Sequence, residues 1–113
     1  MHELAITSQL LESVEREAER VGARRVLRIN LVIGERTGVV DDSLRFCFEM
    51  LAPGTVAEGA AVEVRRTPMR FGCDEDGPYS RSGDDFRCPR CGRVGAITDG
   101  GAELLVESME VET

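Results

Sequence analysis

Tryptophan is absent from the sequence, tyrosine occurs once, and aromatic residues make up only 4% of the chain. Exposed platforms on which nucleic-acid bases could stack are therefore not expected. Positive charge is also short. The formal net charge is −7, so a phosphate backbone is repelled unless a local basic patch overrides the mean. Cationic partners, or metal cations, suit that balance better. No apolar run approaches the roughly 20 residues of a bilayer span. Met1 is followed by His2 and Glu3, not by a basic segment and a long apolar stretch, so no secretory signal is expected. These absences point to a cytoplasmic chain without membrane or nucleic-acid partners. Structural disulfides are rare in that reducing compartment, so the four cysteines suggest metal or redox chemistry.

What is present suits one compact domain with at most a small insert: 113 residues, 42% apolar and 31% charged. Residues 1–6 allow a brief strand or extended start. From Thr7 the apolar spacing becomes helical, with Leu10, Leu11, Val14, Ala18 and Val21 on one face. Thr7 or Ser8 is a candidate cap, and Gly22 a candidate stop. In Arg25–Ile33 the alternation of Leu27, Ile29, Leu31 and Ile33 against Arg28 and Asn30 predicts a half-buried strand. Asp41, Asp42 and Ser43 are candidate caps for a second helix, whose stripe is Leu44, Cys47, Phe48 and Leu51. Pro53-Gly54 stops it. Strands are predicted again over Ala61–Thr67 and Glu103–Val111. Cys47 reads as a small core hydrophobe.

Pro68–Gly101 differs in character. It is rich in Gly, Asp, Arg and Cys, and its few core-forming residues could not fold it without a staple. The expectation is an α+β fold, a small sheet with two helices, interrupted by an inserted knuckle that resembles a zinc ribbon. The boundaries are 1–67 plus 102–113 for the α+β part and 68–101 for the insert. Cys88-Pro-Arg-Cys91-Gly can turn two sulfurs onto one tetrahedral ion, with glycine permitting the tight backbone. A second pair is incomplete. Cys73 is followed three residues on by Asp76, and carboxylate oxygen also ligates zinc. Cys73, Asp76, Cys88 and Cys91 are therefore the expected zinc set. Asp74 is a weaker candidate, and water or a partner residue is an alternative fourth ligand. A thioredoxin-like reading of Cys-Pro-Arg-Cys would require the motif to open a helix after a buried strand.

His2 is the only histidine, and its position gives it interest. The α-amine of Met1, the amide nitrogen of His2 and its imidazole can close fused chelate rings, with the Glu3 amide completing a square. Square-planar nitrogen sets favour Ni(II) or Cu(II). The Glu3 carboxylate could orient the imidazole or join the coordination sphere. The alternative is a frayed, solvated terminus.

Together these features resemble the HypA/HybF family of hydrogenase nickel-incorporation proteins. The likeness runs from Met1-His2-Glu3 through Ile33-Gly34-Glu35, Gly38-Val39-Val40 and Ser43-Leu44-Arg45-Phe46-Cys47-Phe48-Glu49. It continues through Cys88-Pro-Arg-Cys91-Gly to Ile97, Glu103-Leu104 and Glu110-Val111, so it covers nearly the whole chain. The resemblance implies a nickel-binding α+β domain with an inserted zinc domain, and delivery of Ni(II) to the precursor of a [NiFe]-hydrogenase large subunit. It also implies work alongside the maturation GTPase HypB, and some family members additionally serve urease. It assigns nickel to Met1, His2 and Glu3. Asp41 stands at or near a family acidic position beside the nickel, with Asp42 as the alternative. A homodimer is one assembly to be tested. The family pattern resembles Cys-x-x-Cys followed by Cys-Pro-x-Cys, and this chain departs from it at Asp76. Three competing readings are weaker. A zinc-ribbon nucleic-acid module would have to use Arg81, Arg87, Arg90 and Arg93 against the overall charge. An enzyme lacks a nucleophile–base arrangement. A structural adaptor would use metal only for folding.

Overall fold

The computed structural model describes residues 3–83, 85–98 and 100–113. Helix α1 (Glu3–Arg20) leads into strand β1 (Arg25–Gly34), a single 3-10 turn (Glu35–Thr37), helix α2 (Asp41–Leu51) and strand β2 (Ala61–Thr67). Three short strands follow: β3 (Arg70–Cys73), β4 (Gly77–Ser80) and β5 (Ala96–Ile97). Strand β6 (Leu104–Glu112) closes the chain. The strands form two sheets, ordered β2-β1-β6 and β4-β3-β5. The architecture is α+β as expected, with residues 68–101 leaving the first sheet after β2 and returning at β6.

In the first sheet β1 runs parallel to β2 and antiparallel to β6. Both helices cover one face. Leu10, Leu11, Val14 and Ala18 of α1 and Leu44 and Phe48 of α2 pack on Val26, Ile29, Leu31 and Ile33. This is the main core. The molecule is elongated, 54 × 24 × 17 Å, with a radius of gyration of 17.5 Å, against about 13 Å for a compact chain of this size. No helix among the described residues is long and apolar enough to cross a membrane.

Four local expectations are corrected. The start is helical from Glu3, not extended, because Thr7 lies one turn inside α1. Its hydroxyl, fully buried, donates back to the Glu3 carbonyl at 2.6 Å. A Thr hydroxyl that bonds the carbonyl four residues back continues a helix instead of capping it. The apolar alternation of β1 breaks at a register shift between Val26 and Arg28. The irregularity turns Val26 inward and leaves Leu27 41% exposed. Val21 also falls outside the core, at 41% exposed, one residue past the end of α1. Finally, Val40 is the N-cap of α2, with no side-chain cap bond. Asp41 and Asp42 occupy the first turn, where they favour the positive helix end. Gly22 behaves as expected: at φ +69° it closes α1 while the Ala23 N–H reaches the Ala18 carbonyl at 2.8 Å.

The two sheets meet where β1 ends. The Gly34 N–H donates to the Glu103 carbonyl at 2.7 Å, and the Arg36 N–H to the Gly101 carbonyl at 2.6 Å. The returning chain passes so close that a Cβ on Gly34 would lie 2.1 Å from the Gly101 carbonyl carbon. Beside this crossing, Arg81 Nε donates to the Glu35 carboxylate at 2.8 Å. That bond, opposed by burial and helped by the Met69 N–H and the charge of Arg81, holds the Glu35 carboxyl below its ordinary value.

Two outcomes are expected. Gly34→Ala forces backbone apart and should cost about 1–3 kcal/mol, read as a lower melting temperature at unchanged helix content. A depressed carboxyl pKa stabilises above the unfolded value of about 4.3, and the benefit is lost as pH falls through the folded value. Glu35→Gln should therefore lower stability at neutral pH, and the difference from wild type should shrink as pH falls below about 4.3 and vanish only below the folded value. Parallel thermal melts over that range check this.

Candidate metal centre

The knuckle is built by two tight turns facing each other. Strand β3 delivers Cys73 at its end, and β4 starts again at Gly77 after the Asp74–Asp76 turn. In the opposite turn the Gly92 N–H donates to the Cys88 carbonyl at 2.9 Å, and the Cys88 N–H to the Arg93 carbonyl at 2.7 Å. Gly92 supplies the left-handed conformation, φ +79°, that Cys88-Pro-Arg-Cys91-Gly was expected to need. Among the described residues no helix opens after Cys88, so the context required by the redox reading is not found there.

The two turns bring Cys73, Asp76, Cys88 and Cys91 together, one donor atom from each lying within 4.8 Å of all the others. Cys73 Sγ is 3.5 Å from Cys91 Sγ. Asp76 Oδ2 is 3.6 Å from Cys73 Sγ and 3.4 Å from Cys88 Sγ. A tetrahedral zinc with bonds of about 2.3 Å to sulfur and about 2.0 Å to oxygen sets ligand–ligand edges of about 3.5–3.8 Å. The donor set therefore fits one such ion. No disulfide occupies the sulfurs. Asp74 stays exposed outside this group, and Cys47 is buried on α2.

The electrostatics of the cluster show what an ion would relieve. The Cys88 thiol, followed by Cys91 and Cys73, donates to Asp76 and holds its carboxyl below the usual range, with Arg90 adding to the effect. Burial acts to raise the Cys88 thiol, but the backbone N–H groups of Cys91 and Arg90 outweigh it, and Cys88 lies below the ordinary thiol value. The Arg93 N–H acts to lower Cys91. Cys73, burial, Cys88 and Asp76 push it up to about 11. The negative charge of Asp76 resists a thiolate beside it, and a divalent cation reverses that resistance.

Aromatic packing supports the centre. Phe71 stacks on Tyr79 at 5.3 Å and meets Phe86 edge-on at 5.8 Å. The Tyr79 hydroxyl donates to the Phe86 carbonyl at 2.7 Å and accepts from the Gly95 N–H at 2.8 Å, tying together the segments on either side of the Cys88 turn. No sequence motif marks Tyr79; being the one tyrosine beside the knuckle is the only signal it carries.

The four arginines that a nucleic-acid reading would use lie against acids: Arg81 on Glu35, Arg87 on Asp85, Arg90 on Asp76 and Arg93 on Glu75. The basic patch that a nucleic-acid reading requires is thereby largely compensated.

At the other candidate site, Met1 and His2 lie outside the described residues. Glu3 opens α1, and its Oε2 is enclosed with no hydrogen-bond partner among the described residues. Helix α1 spans about 27 Å and β1 about 33 Å, and a short turn folds one back along the other. Glu3 therefore lies toward the end of the sheet where β1 stops and α2 starts. Asp41 begins α2 there, its carboxylate paired with Arg66 of β2. Arg66 also reaches the carbonyls of Gly34, at 3.4 Å, and Val39. The pairing of Asp41 with a β2 arginine had no local sequence signal, since 25 positions separate the partners.

Tyr79→Phe removes one hydroxyl but strands a part-buried N–H and carbonyl. It should cost about 1–3 kcal/mol and selectively speed amide exchange at Gly95, measured by hydrogen exchange.

A model of the hydrogenase/urease nickel-incorporation metallochaperone family HypA matches residues 1–111. The hydrogenase maturation factor HypA of Dehalococcoides mccartyi strain CBDB1 is 46% identical over 113 residues, covering 99% of this chain and 95% of that protein. The factor of the same name from Geobacter metallireducens is 41% identical, covering 99% of this chain and all of its own. The solution structure of the Ni metallochaperone HypA from Helicobacter pylori superposes with a TM-score of 0.68 at 23% identity, over 99% of this chain and 98% of that one. It shares the fold.

Proposed function

Because the chain belongs to the HypA family of nickel-incorporation metallochaperones, we propose that it takes up Ni(II) at its N-terminus and delivers it for maturation of a [NiFe]-hydrogenase. Such a protein is a maturation factor, not an enzyme. In this reading Met1, His2 and Glu3 hold the nickel, and residues 1–67 with 102–113 form the nickel-bearing domain. Residues 68–101 form an inserted domain whose Cys73, Asp76, Cys88 and Cys91 hold a structural Zn(II). The recipient is the large-subunit precursor, with a HypB-type GTPase as co-worker in the cytoplasm.

The observation that carries the nickel assignment is the whole-chain family match with Met1-His2-Glu3 at its start. Glu3 Oε2, enclosed and without a hydrogen-bond partner among the described residues, supports it, since a buried carboxylate oxygen needs a donor or a cation nearby. Asp41 takes a secondary role. With its carboxylate on Arg66, it must exchange that partner before it can face a metal. Zinc is the assignment for the knuckle because three thiolates with one carboxylate at tetrahedral separations suit it, whereas the terminal amine, amide and imidazole nitrogens suit square-planar nickel.

Nickel titration of tag-free protein with its native start tests this. A low-spin square-planar absorption band saturating at one nickel per chain, absent from His2→Ala, is expected. Binding should weaken as pH falls below about 7.7, where the terminal amine holds its proton. A band unchanged in His2→Ala would place nickel elsewhere, and no band in either protein would favour the adaptor reading.

A further inference from the structure

A carboxylate in place of a fourth thiolate brings a problem that sulfur does not have. Sulfur is a single donor atom, whereas a carboxylate offers two oxygens and must be turned so that one faces the ion. Asp76 is turned in this way. Its Oδ2 faces Cys73 Sγ at 3.6 Å and Cys88 Sγ at 3.4 Å, and its Oδ1 lies 4.0 Å from Arg90 Nε. The same guanidinium donates through Nη2 to the backbone carbonyl of Asp76. Arg90 stands between the two cysteines of Cys88-Pro-Arg-Cys91, so one turn supplies two sulfurs together with a cation that hydrogen-bonds the Asp76 backbone and sits beside its outer oxygen. The Arg90 side chain is more than half exposed, so burial does not require it there.

We propose that Arg90 is the positioning residue that makes Asp76 a ligand, anchoring its backbone and outer oxygen so that Oδ2 is left for the metal. This rests on the zinc reading above. Three thiolates and a carboxylate around a divalent ion carry a net charge of −2, as four thiolates would, so the total charge does not explain the arginine. Orientation does, as for other groups hydrogen-bonded to metal ligands. Arg90 should therefore matter when a carboxylate stands opposite it and not when a thiolate does.

The test is a cycle on the full chain: wild type, Arg90→Ala, Asp76→Cys and the double variant. Each is loaded with Co(II) for its visible spectrum and titrated with Zn(II) against a chelator. Wild type should give a tetrahedral Co(II) band, with Asp76→Cys showing stronger sulfur-to-cobalt charge transfer. Arg90→Ala should lower zinc affinity about 10-fold or more in the wild-type background and change it less than about 2-fold in the Asp76→Cys background. Equal losses in both backgrounds would give Arg90 a general structural role and overturn the proposal. So would no loss in either. A tetrahedral band in Asp76→Cys but not in wild type would remove Asp76 as a ligand. No tetrahedral band in either protein would instead overturn the zinc reading.

Discussion

The convergence of three sulfurs and one carboxylate oxygen is the contact on which the second sheet depends. Its buried side chains are Phe71, Cys73, Tyr79 and Cys88, and two of these four are thiols. Two short hairpin strands and a two-residue strand cannot be held by three aromatic rings alone. In the proposed zinc state the ion is the missing core. It closes the loop from Cys73 to Cys91 and neutralises charge that the donors alone resist gathering. The fixed knuckle then fixes Phe71 and Tyr79, and through them the strands that lead back to the first sheet.

That return path governs the first sheet. Strands β2 and β6 lie on opposite sides of β1, so the chain leaving β2 must cross the end of β1 before it can form β6. Gly34 and Gly101 make the crossing possible at backbone contact, and Glu35 is held there by Arg81 and the Met69 N–H. The same end of the sheet carries the start of α1, with the enclosed Glu3 oxygen, and the start of α2, with Asp41 on Arg66. The proposed nickel end and the segment that carries the knuckle thus join the sheet at one place while using separate donor sets. Nitrogen donors at a terminus and sulfur donors in a closed turn select different ions by chemistry alone.

Much of this was legible in the sequence. Strand β2 lies over the residues its alternation predicted, and Cys73, Asp76, Cys88 and Cys91 are the group the structure brings together. Periodicity and ligand spacing are local signals, and both survive folding. The failures were of a different kind. Leu27 alternates correctly but sits beside a bulge that only the pairing with β6 creates. Thr7 has a capping side chain but finds a carbonyl behind it in the helix. Arg66, Arg81 and Tyr79 act across 7 to 46 positions, and no spacing rule reports such a contact. The likeness to a known family named the function, and the residues of the knuckle supplied the chemistry on their own.

The central claim is that one chain holds two metals in two chemically distinct sites. X-ray absorption at the nickel and zinc edges of the doubly loaded protein tests it most directly. The account predicts nickel in a four-coordinate planar set of nitrogen and oxygen donors without sulfur, and zinc with three sulfurs and one oxygen. Sulfur in the nickel shell, or a zinc shell without it, would contradict it.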